Sequence, residues 1–169
     1  MTGKERVTRV LRGEAVDRQP IYGWVAANLN DEITERYGSV AAFEDKYEFD
    51  IAHIFGGPDA INWDVINKIT EENEELTPDL LVAADYYLSP HQPEAYREME
   101  EVLAHHKARG RFCYVQAPGF FESYNGIFGI ENQLMWLGLY PEELGKIYSR
   151  QAEWIIGFID ECVKRGVDM

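Results

Sequence analysis

Tyr124, His53 and a group of aromatic side chains are the residues of this chain with the means to bind or process a small molecule. A tyrosine hydroxyl can donate a hydrogen bond or a proton to a reacting group, and an imidazole titrates near neutrality. Tyr124 closes the stretch Arg111-Phe-Cys-Tyr-Val-Gln-Ala-Pro-Gly-Phe-Phe-Glu-Ser-Tyr124. Residues 112–117 read as a short buried strand, being apolar, β-branched and aromatic but too few for a helix. Pro118 and Gly119 must stop it, because proline donates no N–H and glycine relaxes the backbone. Phe120, Phe121 and Tyr124 then follow the C-terminal end of a strand, where α/β proteins gather functional groups. The same residues would also serve as an aromatic plug beneath a core strand, and residue types alone leave both readings open. Metal chemistry has no spacing to support it. Cys113, Cys162, His53 and His91 are scattered, and the adjacent His105 and His106 cannot turn to one ion from a helix. The histidines read as helix-face or strand residues, with no metal on this chain.

The elements that must position these groups follow from punctuation and period. Thr2 and Glu5 form a capping-box pattern for a first helix, with Val7, Val10 and Leu11 on one face and Gly13 past its end. Asp17-Arg18-Gln19-Pro20 is a turn, 21–25 a first strand and 26–30 a small-residue loop. Asp31 caps a helix that Gly38 closes, and 39–47 is a short helix with Val40 and Phe43 inward. Residues 50–55 form a second strand that stops at Gly56-Gly57-Pro58. The segment 59–92 is the least regular; its run of Glu71, Glu72, Glu74 and Glu75 is a solvated face, and its length suggests short strands or a flap near the site. Residues 93–109 are a helix with proline first, glycine just past the end, and Tyr96, Met99, Val102, Leu103 and His106 inward. A further helix spans 130–139. A long one runs from Pro141 to Gly166 with an apolar stripe through Leu144, Ile147, Tyr148, Trp154, Ile155, Phe158, Ile159, Cys162 and Val163. Residues 167–169 begin another strand.

Helices alternating with single strands imply parallel βα units. Three strands and a stub fall short of the eight strands and about 250 residues of a closed barrel. The chain therefore reads as α/β, a (β/α)8 TIM-barrel type with about the first half present, in one domain over 1–169. In that arrangement Trp24 and Asn28 follow the first strand, His53 and Phe55 end the second, and Phe120, Phe121 and Tyr124 follow the third. They would line an aromatic, weakly polar pocket suited to a flat apolar ligand or a methyl donor. A half-barrel would expose a strand edge and an apolar face, so a homo-oligomer or a missing C-terminal half is expected.

Sixteen basic against thirty acidic residues give a net charge of −14 over 169 residues. Nucleic acid and anionic membrane surfaces are therefore excluded as natural partners. No run of 18 apolar residues indicates a membrane span, and the charged start Met-Thr-Gly-Lys-Glu-Arg lacks a signal core. Two isolated cysteines suit a reducing compartment, so a cytoplasmic protein is expected.

Three motifs carry a resemblance to the N-terminal half of the uroporphyrinogen decarboxylase superfamily, which includes the corrinoid-dependent methyltransferases. Residues 4–20, ending Asp17-Arg18-Gln19-Pro20, resemble the family's leading helix and its "DRxP" approach to the first strand. Residues 117–124 resemble its "G-x-P-(W/F)-T-L-x-x-Y" loop, which puts Tyr124 on the family's active-site tyrosine. Residues 155–168 resemble its long helix running into "G-(A/V)-D". The resemblance implies a barrel with a deep cleft at the strands' C-terminal ends. The chain departs from the decarboxylases in two places. The loop Trp24-Val-Ala-Ala-Asn28-Leu-Asn30 has no arginine for a polyanionic porphyrinogen, and Phe55 is followed by glycine where an aspartate is expected. The methyltransferase branch is the closer analogue. It implies zinc or a corrinoid in a complete protein, with ligands beyond this half and no cofactor on this chain; the ligand implied is a small molecule, with a tetrapyrrole or corrinoid among the candidates. A divergent decarboxylase and a non-catalytic half-barrel remain the alternatives.

Overall fold

The capping box at the first helix forms as the sequence requires. The Thr2 hydroxyl accepts the Glu5 N–H at 3.2 Å, and the Glu5 carboxylate accepts the Thr2 N–H at 2.8 Å, which starts α1 (Gly3–Leu11). In this computed structural model residues 1–24, 26–117 and 119–169 are described, the side chains of Ala26, Ala27 and Asn28 excepted. The chain divides into two compact units, one of residues 1–55, 98–116 and 165–169, the other of 56–97 and 117–164.

The first unit is organised around two parallel strands, β1 (Ile51–Ile54) and β2 (Phe112–Val115), in register from Ile51 opposite Phe112 to Ile54 opposite Val115. Residues 168 and 169 extend the pairing on the other side of β2: the Asp168 N–H donates to Cys113 at 2.8 Å, and Val115 donates to Met169 at 2.9 Å. The expected strand stub is therefore present as a two-bond ladder. The expected first strand at 21–25 is not. Its described residues form no strand, because only one ladder bond joins Ile21 to Asp50, at 2.9 Å. The Ile21 N–H instead donates to the Asp50 carboxylate at 2.7 Å. Val25 lies outside the described residues.

The loop expected at 26–30 is helical, since α2 spans Ala26–Tyr37. Leu29 departs from helical angles (φ −129°, ψ 16°), so regular helix begins close to Asp31. Gly38 ends α2 at a φ of +86°, a conformation that costs glycine little. Ser39 caps α3 (Val40–Lys46) by accepting the Ala42 N–H at 3.0 Å. In α6 (Arg97–Ala108), Met99, Leu103 and His106 are buried as expected, but Val102 is 39 % exposed.

In the second unit, the segment expected to be irregular is nearly half helical. It holds α4 (Trp63–Glu72), capped by Asn62, and α5 (Pro78–Ala83), with only an isolated antiparallel bridge between Ile61 and Tyr87. A 3-10 turn follows at Pro93–Tyr96. The loop expected around Phe120 is also a helix, α7 (Phe120–Phe128), separated from α8 (Ile130–Leu139) by Gly129 at φ +74°. The long helix α9 spans Pro141–Arg165. Leu144, Ile147, Trp154, Phe158 and Cys162 are buried on it, whereas Ile159 and Val163 face outward and the stripe takes in Gln151. Ile66, Leu81, Tyr86, Tyr124, Phe128, Trp136, Leu144 and Ile147 form the core of this unit. The Arg150 guanidinium donates to the Ala84 and Leu81 carbonyls at 2.7 and 2.5 Å, satisfying the end of α5.

The architecture is mixed α/β, mainly helical, with a small parallel sheet; among the described residues no closed eight-stranded barrel is present. No helix of the described residues is long and apolar enough to cross a membrane.

Candidate ligand-binding cleft

Alternation along β1 puts His53 and Phe55 on the same side, and the parallel register sets Tyr114 beside His53. The His53 imidazole stacks on the Tyr114 ring at 4.5 Å and 14°. Phe55 lies 4.0 Å from it on centroids, and Trp24 meets it edge-on at 5.1 Å. The Tyr22 and Tyr114 hydroxyls are hydrogen-bonded to each other. The rings of Tyr22, Trp24, His53 and Phe55, with Val40, Ala41 and Glu44 from α3 and Val102 and His106 from α6, line a cleft of about 200 Å³, and Tyr114 packs behind His53. Trp24 and Phe55 leave about half their surfaces open, at 51 % and 57 % exposure.

Burial disfavours the charged forms of the cleft's titratable groups. Both His53 ring nitrogens are buried and find no hydrogen-bond partner among the described residues; burial pushes the imidazole down from its usual range. His106 is pushed down to about 4, by burial and then by the Arg111 charge. Arg111 donates to its Nδ1 at 2.7 Å, which requires that nitrogen to be unprotonated. Burial raises the Glu44 carboxyl, against the pull of Arg111 3.7 Å away. Tyr114 is raised by burial and by its bond to Tyr22.

His106 supplies a direct check. It should titrate near pH 4 by NMR, so that the folded unit loses stability as pH falls below about 6.5, where the unfolded chain takes up the proton first. A midpoint near 6.5 would contradict the arrangement with Arg111.

At the other ends of the strands the chemistry is ionic. Asp50, just before β1, is buried and accepts bonds from Arg6, from Arg18 at 2.5 Å and from the Ile21 N–H at 2.7 Å. Arg6 also reaches Asp17 at 2.7 and 2.9 Å. Asp17 and Arg18 of the "DRxP" motif thus serve as a clamp across the base of the sheet. Arg111, just before β2, reaches Phe49, Asp45 and His106, and Arg109 reaches Asp45 at 2.7 Å. These side chains surround a cavity of about 420 Å³, but every guanidinium there is already engaged by protein oxygen or nitrogen.

The structure therefore brings together Trp24, His53 and Phe55. Asn28 belongs to α2, but its side chain lies outside the described residues. Phe120, Phe121 and Tyr124 belong to the second unit. Tyr124 is wholly buried there, stacked on Phe128 at 5.1 Å, and its hydroxyl is 3.0 Å from that of Tyr86 and 2.6 Å from that of Tyr87. Burial, with those two neighbours, holds its proton far above the ordinary tyrosine range. This is the environment of a core side chain, one of the two readings that its residue type left open. Phe120 is half exposed beside Tyr148, and Phe121 is partly buried. Sequence reasoning missed Tyr22, Glu44, Val40 and His106 as cleft residues, and Tyr114 as the ring stacked on His53. Only Tyr114, on a strand next to His53, carried a signal, the parallel register itself.

Among the described residues no group of three His, Cys, Asp or Glu side chains is placed to hold a metal ion. Comparison of the chain with protein-family models, curated proteins and solved structures yields no match in any of the three.

Proposed function

We propose that the aromatic cleft of the first unit binds a small, methyl-bearing ligand, and that the chain contributes this site to an enzyme of the uroporphyrinogen decarboxylase superfamily, on its methyl-transfer side. The observation that carries the reading is the pair of half-open rings, Trp24 and Phe55, against a partly buried imidazole whose ring nitrogens are covered, at the C-terminal end of β1. The order of pairing, Ile21 to Asp50, β1 to β2 and β2 to residues 168–169, is the sequential parallel order of a barrel and supports the (β/α)8 assignment. A cleft of about 200 Å³ is smaller than the roughly 300–1,000 Å³ of drug-sized sites. A corrinoid or tetrapyrrole would rest at its mouth with only one group inside, and zinc would be held by residues elsewhere.

The decarboxylase alternative draws no support from this chemistry. A polyanionic porphyrinogen needs guanidinium groups, and no arginine or lysine lines the cleft. The non-catalytic alternative draws some from Tyr124, whose hydroxyl is committed to Tyr86 and Tyr87. We assign the protein to the cytoplasm from its composition, because two isolated cysteines in 169 residues suit a reducing compartment. A second copy or further chain would cover the apolar side chains that α8 exposes, Ile130, Leu134 and Met135 among them.

Titration with methoxybenzene, a flat neutral methyl donor, followed by amide and indole NMR signals, tests the site. Shifts should cluster on Trp24, His53, Phe55 and Tyr114 and leave Tyr124 unmoved, and Trp24→Ala should weaken binding about tenfold. Shifts scattered over both units, or an affinity unchanged in Trp24→Ala, would remove the cleft as the site.

A further inference from the structure

We infer that the cleft selects a small methylated cation, a quaternary ammonium group, over neutral and anionic ligands of the same shape. This rests on the cleft reading and adds the charge of the ligand to it. The open walls are ring faces: Trp24, Phe55 and Tyr22 are 51 %, 57 % and 40 % exposed. An aromatic face presents negative potential, and a cation over it is held by the ring quadrupole, tryptophan most strongly. The side chains lining the cleft include one charged group, the Glu44 carboxylate, and no lysine or arginine.

The groups that would oppose a cation are out of play. His106 is neutral at physiological pH, with Nδ1 already accepting from Arg111, and His53 is held neutral by burial. Arg111 is itself occupied by Phe49, Asp45 and His106. An anion entering would meet ring faces, a carboxylate and no donor of positive charge. A neutral apolar ligand would gain burial but none of the ring–charge attraction. A strongly hydrated ammonium with free N–H groups would exchange its water for few acceptors, the Glu44 carboxylate and one His53 nitrogen, because the hydroxyls of Tyr22 and Tyr114 are bonded to each other. Methyl groups on the nitrogen remove that penalty. The volume admits one such headgroup and little more.

The test compares choline with 3,3-dimethylbutan-1-ol, which replaces the charged nitrogen by carbon, in calorimetric titrations of the 169-residue chain. Choline should bind about tenfold more tightly. Trp24→Leu keeps apolar bulk but removes the ring, so both ligands should weaken and choline should lose its tenfold advantage over the alcohol. Equal affinities, or a preference that survives Trp24→Leu, would overturn the inference. If methoxybenzene binds and choline does not, the cleft stands and its cation selectivity falls. If none of the three binds, both readings fall together.

Discussion

Asp50→Ala is expected to destabilise the protein by about 3–5 kcal/mol at neutral pH. Asp50 is 2 % exposed, and one carboxylate there serves Arg6, Arg18 and the Ile21 N–H. Its removal leaves Arg6, 5 % exposed, with only Asp17 and a main-chain carbonyl, and frees the Ile21 amide. Deleting one partner of such a buried cluster costs about 3–5 kcal/mol, a large share of the roughly 5–15 kcal/mol that holds a domain together. Chemical denaturation followed by circular dichroism reads the loss directly. Asp17→Ala is the comparison: its carboxylate is half exposed and accepts from the Arg6 guanidinium and the Arg18 backbone N–H, so it should shift the midpoint far less. The acid limb provides a second readout. Burial favours the protonated Asp50 carboxyl, but the Arg18 and Ile21 bonds and the two positive charges outweigh it and hold the carboxyl below its ordinary range. The stability it contributes is present above the unfolded carboxylate range and is lost as pH falls through the lower folded value. An Asp50→Ala protein with the parent's midpoint and acid limb would refute the clamp.

The second large effect is at Tyr124. Truncation to alanine empties a site between Tyr86, Phe128 and Tyr148, and large-to-small changes of buried aromatics cost about 3–5 kcal/mol. Tyr124→Phe keeps the ring but strips the hydroxyls of Tyr86 and Tyr87 of their shared partner. That should cost about 1–3 kcal/mol. Neither change should alter binding of methoxybenzene to the cleft, provided the protein is studied below its unfolding midpoint. Loss of cleft binding in a fully folded Tyr124→Phe protein would restore the tyrosine to the site and contradict its role as a core group.

Those two residues also show where sequence reading reached and where it stopped. Local signals were reliable. The Thr2–Glu5 box, the glycines at 38, 110 and 166 in left-handed conformations and the proline-led α9 are all as the residue types demand. Signals that depend on a neighbour were not. Residues 21–24 have a strand's composition but make one ladder bond, because the Asp50 side chain takes the amide that a strand would have used. Val102 falls on the helical face expected to be inward, yet it is exposed because that edge of α6 borders an open cleft. Helices α4 and α5 are short, at ten and six residues, and one ends in the glutamate run, so their period was masked. Strand-end logic located Trp24, His53 and Phe55, since β1 alone sets two of them. It could not find Glu44 or His106, which reach the cleft from helices whose placement is a tertiary event.

The first unit is assembled from three separated pieces of chain, with residues 56–97 and 117–164 belonging elsewhere. β1 can pair with β2 only after the intervening segment has been made, and the bonds to Asp168 and Met169 wait for the last turn of α9. At translation rates of about 5–20 residues per second, the finished strand Ile51–Ile54 stands without its partner for several seconds on the ribosome. During that interval the buried faces of Ala52 and Ile54 are open to solvent, and Asp50 has Arg6 and Arg18 at hand but no sheet to lock into.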